Sequence, residues 1–220
     1  ALDNFTWEEE RRRNEARINE LAYYDQLTGL ANRPLLIDRI RQAVAVGMRT
    51  DKFSALLFFD LDRFKTINDT LGHAHGDNLL RQVGQRLLGI VPADDTVARF
   101  GGDEFVLLLH GLSGSSEEAA EAVALICRKI LSAVREPIVV EGITCHCTAS
   151  IGVALFGKQS ITPDELLKQA DLAMYQAKDA GRNTVRFFDP AMQQTVMERI
   201  ELERDLEEAI RLEQFVLYYQ

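Results

Sequence analysis

Apolar runs of strand length alternate along this chain with segments whose apolar residues recur at helical spacing. Phe53 to Asp60 is a continuous run rich in Phe and Leu, the pattern of a central strand covered on both faces, and it stops at Asp60-Leu61-Asp62. Thr96 to Phe100 and Asp103 to His110 are two further runs separated by Gly101-Gly102, and paired glycines between apolar runs signal a hairpin. Ile138 to Val140 and Ile143 to Leu155 read as strands joined around Glu141-Gly142, and Val185 to Phe188 as a last strand. Helical spacing predicts helices over about Pro34–Met48 (apolar at Leu35, Ile40 and Val44), Asp77–Ile90, Glu117–Val134 and Pro163–Ala180. The last has a full start signal, with Thr162 as N-cap, Pro163 at the first position and Asp164 and Glu165 in the first turn. Phe64 to Leu71 and a Gly-rich elbow at Gly72 and Gly76 precede the second helix.

The two ends differ in texture from this centre. Phe5 to Tyr24 reads as a charged helix with a thin apolar stripe of Ile18, Leu21 and Ala22. It suits either the end of a signalling stalk that pairs with its own copy or a solvated connector. Beyond Asp189-Pro190, Met192, Val196 and Ile200, then Leu202, Leu206 and Ile210, recur every four residues on a charged helix. Phe215 to Tyr219 then reads as a strand with no partner. The expected organisation is a connector over 1–24, a single α/β (α+β) domain over 25–189, and a linker plus the first strand of a further domain over 190–220. The start at Ala1 suggests a piece of a longer chain, a parent with room for a membrane anchor.

Composition narrows the function. The chain is 46% hydrophobic and 27% charged, an ordinary globular mixture, and its apolar runs are strand-sized, well short of the ~18 residues that cross a bilayer. No apolar signal segment opens it, so a cytoplasmic location without membrane contact is expected. The net charge of −9 disfavours sequence-independent nucleic-acid binding and means that any phosphate ligand needs a metal or local cations. Cys145 and Cys147 form C-x-C and Cys127 stands apart, which suits reduced core residues rather than a metal knuckle.

Four groups carry candidate chemistry. Asp60 and Asp62, two apart at a strand end, share one face if the strand continues; they either hold a hard cation or cap the next helix. Gly101-Gly102-Asp103-Glu104 places two carboxylates after a tight turn; beside Asp60, Asp103 would complete an Mg²⁺ site, and otherwise this is an acidic surface turn. Lys178 and Arg182, four apart at a helix end, are phosphate partners or solvated cations near a helix C-terminus. Asn68 and Asp77 flank the Gly-rich elbow and match the donor and acceptor edge of guanine, unless they serve only the turn.

Taken together, Phe59-Asp60-Leu61-Asp62-Arg63-Phe64-Lys65-Thr66-Ile67-Asn68-Asp69, Gly72-His73, Gly76-Asp77 and Arg99-Phe100-Gly101-Gly102-Asp103-Glu104-Phe105 resemble the GGDEF family of diguanylate cyclases. Tyr24 to Arg33 resembles that family's opening motif and Tyr175 to Asn183 its closing motif, so the resemblance covers about Leu21 to Phe188. It implies a ferredoxin-like, polymerase-palm fold with a mostly antiparallel central sheet wrapped by helices. It also implies Mg²⁺-dependent (or Mn²⁺-dependent) condensation of two GTP into cyclic di-GMP and two pyrophosphates across a homodimer. By resemblance, Asp60, the Leu61 carbonyl and Asp103 hold the metal, and Asp103 or Glu104 assists deprotonation of the 3′-hydroxyl. Asn68 and Asp77 read guanine, while amides near Phe64 and Lys65 and the Lys65, Lys178 and Arg182 side chains hold phosphates, with Gly102 allowing close approach. The tail from about Arg199 resembles the opening of an EAL-type phosphodiesterase domain, implying an upstream sensory domain and a downstream EAL domain in the parent. The alternatives to an active cyclase are a silent GTP-binding module that controls that phosphodiesterase, or an idle dimerisation element.

Two positions depart from the family pattern. Pro92 stands where an Arg-x-x-Asp product-inhibition motif carries its arginine, although Asp95 fits. Proline makes no bidentate contact to phosphate or guanine, so weak or absent inhibition by product is expected. Arg63 stands where many relatives carry an aromatic residue.

Overall fold

The computed structural model describes residues 17, 20–50, 52–112, 114–190 and 209–210. Residues 17 and 20–23 are helical, whereas Tyr24, expected as the last helical residue, instead bridges Ala31; the rest of the expected N-terminal helix, and nearly all of the expected linker and terminal strand, lie outside the described residues. In chain order the elements are α1 (Arg33–Gly47), β1 (Phe53–Leu61), α2 (Phe64–Leu71), α3 (His73–Leu88), β2 (Thr96–Gly101), β3 (Glu104–Leu112), α4 (Ser116–Arg135), β4 (Ile138–Val140), β5 (Ile143–Cys145), β6 (Ala149–Phe156), α5 (Pro163–Asp179) and β7 (Val185–Phe187).

Five strands form one sheet in the order β2-β3-β1-β6-β7, antiparallel except for the β6–β7 pair, which α5 joins by a crossover. The continuous apolar run of β1 is explained by its position at the centre. Alternate side chains serve opposite faces: Ala55, Leu57, Phe59 and Leu61 join the core under α3 and α4, while Leu56 and Phe58 join the core under α1 and α5. Phe59 stacks on Phe105 of β3 at 5.2 Å between ring centroids, which fixes the register one residue before Asp60. The expected α/β fold, a mostly antiparallel sheet wrapped by helices, is what the chain adopts.

Local signals worked where they acted alone. Asn32 and Thr162 cap α1 and α5 through the Leu35 and Glu165 amides, and Ser115 with Glu118 forms a full capping box on α4. Two boundaries and one buried face differ from expectation. The helix expected from Asp77 starts at His73, because only Gly72 breaks the chain and Gly76 is an ordinary helical residue. The single strand expected over Ile143–Leu155 is two: β5 pairs with β4 in a separate small sheet, and the chain is irregular through His146–Thr148 before β6 begins. The buried row of α1 is Leu36, Ile40 and Ala43, with Leu35 and Val44 on its flanks. All three cysteines are free and buried, and burial pushes the Cys127 thiol to about 12 and the Cys147 thiol to about 11, as befits inert core residues. Among the described residues no helix is long and apolar enough to cross a membrane.

Candidate active site

Strand β1 delivers Asp60 to the end of the sheet on the face that α5 covers. Helix α5 lies directly on β6 because residue 152 is glycine: a Cβ there would collide with the Ala170 carbonyl oxygen and the Met174 nitrogen. One turn beyond that contact, Lys178 reaches across, and its Nζ lies 2.9 Å from Asp60 Oδ1. The β2–β3 hairpin brings the remaining acids. Pairing of β1 with β3 sets Asp60 opposite Glu104, and the Leu61 amide donates to the Asp103 carbonyl at 3.4 Å. Gly102 forms the turn at φ 51°, a conformation that L side chains rarely adopt. A bulge in β2 between Arg99 and Gly101 re-aims the hairpin tip.

These acids repel one another. Burial is the largest influence on Asp60 and pushes its pKa above the ordinary range; Asp103 and Asp62 push the same way, while Lys178 opposes. Burial likewise raises Glu104, reinforced by Asp171, Asp60 and Asp103. Asp60 and Asp62, equal in the sequence, have diverged. The strand ends at Leu61, and Asp62 turns into the protein, where its carboxylate accepts from Thr148 Oγ1 (2.6 Å), Ser150 Oγ (2.7 Å) and the Asn183 amide (3.1 Å).

The other predicted residues form two groups. Asn68 on α2 and Gly76 on α3 face each other so closely that a Cβ at 76 would collide with Asn68 Oδ1, which is buried without a partner. Asp77, half-buried, is the next residue on α3. Phe64 is buried at the start of α2, and Lys65 beside it is exposed. Arg182, at φ 65° just past α5, lines a cavity with Arg63, while Lys178 is engaged with Asp60.

A sequence profile described as "Diguanylate cyclase, GGDEF domain" matches residues 22–184. The chain belongs to the GGDEF family. MucR of Pseudomonas aeruginosa, a bifunctional diguanylate cyclase/cyclic di-GMP phosphodiesterase, is 43% identical to this GGDEF chain over 201 residues, 91% of the chain but only 28% of MucR. The solved GGDEF domain of TpbB from Pseudomonas aeruginosa superposes with a TM-score of 0.74 at 36% identity, covering 80% of this chain and 99% of that one. The coiled coil and GGDEF domain of DgcB from Caulobacter crescentus, solved with c-di-GMP, gives a TM-score of 0.74 at 28% identity, covering 84% of this chain and 96% of that one.

The acidic end of this GGDEF domain fits a hard divalent cation. Its donors are carboxylate and carbonyl oxygens, and their mutual repulsion is what a cation relieves. Among the described residues no three His, Cys, Asp or Glu side chains make a ready cage. Mg²⁺ needs none, since one or two carboxylates, substrate phosphates and water complete its shell. Sequence patterns missed the parts that hold the GGDEF turn. Arg99 donates from Nε (3.0 Å) and Nη2 (2.7 Å) to the Gly102 carbonyl and from Nη1 to both Asp25 oxygens, at 3.2 and 3.1 Å. Thr148 and Ser150, which engage Asp62, lie outside every quoted motif, and Asn183, the end of the closing motif, has no role assigned by it.

Proposed function

We propose that this GGDEF domain is a diguanylate cyclase that condenses two GTP into cyclic di-GMP and two pyrophosphates between two copies of itself. The observation that carries the reading is the convergence of Asp60, Asp103 and Glu104 at one end of the sheet with Lys178 beside them. Asp60, the Leu61 carbonyl and Asp103 are the groups to hold Mg²⁺ (or Mn²⁺), which when bound supplies charge stabilisation on phosphate oxygens. The 3′-oxygen of one nucleotide attacks the α-phosphorus of the other, the bond to pyrophosphate breaks, and the hydroxyl proton passes to Asp103 or Glu104. Burial and neighbouring acids raise the proton affinity of Glu104, which suits it to accept that proton. Lys178, Lys65, Arg182 and the first amides of α2 take the phosphates. The orphan Asn68 Oδ1, with Asp77 next along α3, supplies acceptors for the guanine N1–H and amino group.

One domain presents one nucleotide, so its 3′-hydroxyl finds no acceptor phosphate in its own site. Bringing two copies face to face is then part of the chemistry. The deciding experiment is incubation of a forced dimer with GTP and Mg²⁺, with cyclic product separated by chromatography and Asp103→Ala as control. Product that vanishes in the variant supports the cyclase. GTP binding without product assigns the domain as a silent module beside an EAL domain, an arrangement that the bifunctional name of MucR keeps in view.

A further inference from the structure

A cavity of about 450 Å³ opens between the start of α2, the irregular His146–Thr148 segment and the Gly181–Asn183 loop. In a chain of net charge −9, its walls concentrate the opposite sign: Arg63, Arg135 and Arg182, with His146 beside them. None of the three guanidiniums has a carboxylate partner among the described residues. The one carboxylate in the lining, Asp62, accepts from Thr148, Ser150 and the Asn183 amide and forms no ion pair with these arginines. Three guanidiniums against one carboxylate leave the walls net positive.

The backbone marks the same place. Four non-glycine residues of the described chain sit at positive φ, and three of them, Arg63 (60°), Arg182 (65°) and Asn183 (47°), line this cavity. Residues in that region persist only where their surroundings hold them, and they cluster at ligand sites. The third sign is an unfilled bond: Asn183 Oδ1 is buried without a partner. Unpaired cations, held backbone and an orphan acceptor that a ligand's hydration water can satisfy describe a site for a hydrated polyanion.

We propose, building on the phosphate roles assigned above to Arg182 and α2, that this cavity is a polyphosphate site in which Arg63, Arg135 and His146 bind the terminal phosphates of the nucleotide and retain pyrophosphate after it is released. Arg135 and His146 come from α4 and the segment after β5, outside every motif that marks the cyclase site. The cavity lies immediately past strand β1 and helix α5, which carry the site: Arg63 is three residues after Asp60, and Arg182 is four after Lys178.

The test is a titration of the purified dimer with inorganic pyrophosphate in Mg²⁺, read by calorimetry, alongside a titration with a non-hydrolysable GTP analogue. The variants are Arg135→Ala, His146→Ala, Arg63→Ala and the conservative Arg135→Lys, all at exposed positions, with circular dichroism to verify folding. The expected result is pyrophosphate binding weakened about threefold to tenfold by each alanine and largely restored in Arg135→Lys. A parallel weakening of the GTP analogue assigns the terminal phosphates to the cavity as well. Unchanged pyrophosphate affinity in all three alanine variants, or no pyrophosphate binding by the parent dimer, overturns the proposal. Asp103→Ala separates it from the cyclase reading: loss of turnover there with pyrophosphate affinity kept supports the cavity. A dimer that never turns over yet binds pyrophosphate through Arg135 defeats only the cyclase.

Discussion

Arg99 grips Asp25 with one edge of its guanidinium and the Gly102 carbonyl with the other, so the opening turn of the domain and the turn that carries Asp103 are held by one side chain. Asp25 is itself organised by Thr28, whose amide (2.9 Å) and hydroxyl (2.7 Å) donate to Oδ1. The Ala31 amide donates to the Val97 carbonyl, and the Arg99 amide to that of Ala31, so the same segment is laced onto strand β2.

Arg99→Ala is expected to cost about 1–3 kcal/mol, because it strips a half-buried pair and frees the Gly102 carbonyl, and to reduce cyclic di-GMP formation through a loosened Asp103 turn. Denaturant unfolding and product yield measure the two effects. Arg99→Lys does not rescue them, since an ammonium cannot serve two partners as a planar fork. Burial pushes Asp25 up, but the Thr28 hydroxyl and amide and then Arg99 outweigh it and hold it below the ordinary carboxylate range. The folded pKa is thus depressed, so the contribution of Asp25 is present above the ordinary carboxylate pKa and is lost as pH falls through the lowered one. Asp25→Asn flattens that acid limb.

The acids of the site behave with the opposite sign. Asp60 and Glu104 have folded pKa values raised chiefly by burial, so their contribution is greatest at low pH and stability falls as pH rises through the raised values. Mg²⁺ is expected to raise the melting temperature more at neutral than at acidic pH. Asp103→Asn raises metal-free stability at neutral pH, abolishes turnover and blunts the Mg²⁺ effect. Calorimetric melting with and without the metal reads all three.

Asp62→Asn is expected to lose roughly 2–3 kcal/mol, because an amide cannot accept from Thr148, Ser150 and the Asn183 amide together. The loop that it releases carries Arg182, so KM for GTP rises while the Mg²⁺ concentration for half-activation stays fixed. A shift in that Mg²⁺ midpoint makes Asp62 a ligand after all.

Gly76→Ala places a methyl group against Asn68 Oδ1. The helix gains about 1 kcal/mol of propensity, yet guanine recognition suffers. Steady-state kinetics are expected to show a higher KM for GTP with kcat little changed, and weaker preference for GTP over ITP, which lacks the 2-amino group.

Cyclic di-GMP added to the reaction is expected to inhibit weakly, and Pro92→Arg to strengthen inhibition. Asp95 Oδ1 already accepts from the His110 amide at 2.7 Å beside a cleft of about 660 Å³, and Pro92 brings no cation to it. Progress curves at several product concentrations check both.

Local pattern and the quoted motifs carry most of the fold and the candidate site. The buried run of β1, the capped start of α5 and the Gly-Gly turn are each written in contiguous residues, and each forms where expected. What stayed hidden depends on contacts between distant segments. Asp25 and Arg99 lie 74 positions apart, and side-chain pairing at that range leaves no periodicity. Asp60 and Asp62 are the same residue type at strand spacing, and only the end of β1 at Leu61 decides that one meets Lys178 and the other Thr148. Gly76 reads as a breaker in a one-dimensional string, whereas its missing Cβ makes room for Asn68.

The seat of α5 on Gly152 has a mechanical consequence. With a helix resting backbone to backbone on the sheet, moving the root of Lys178 away from Asp60 means lifting the whole rod and tearing out Leu166, Ala170 and Met174 with it, so only the flexible side-chain stem is free to turn its ammonium from Asp60 to a phosphate. Control exerted inside one copy would have to break that joint. Control exerted by docking or parting two intact copies leaves it untouched and costs only the energy of their encounter.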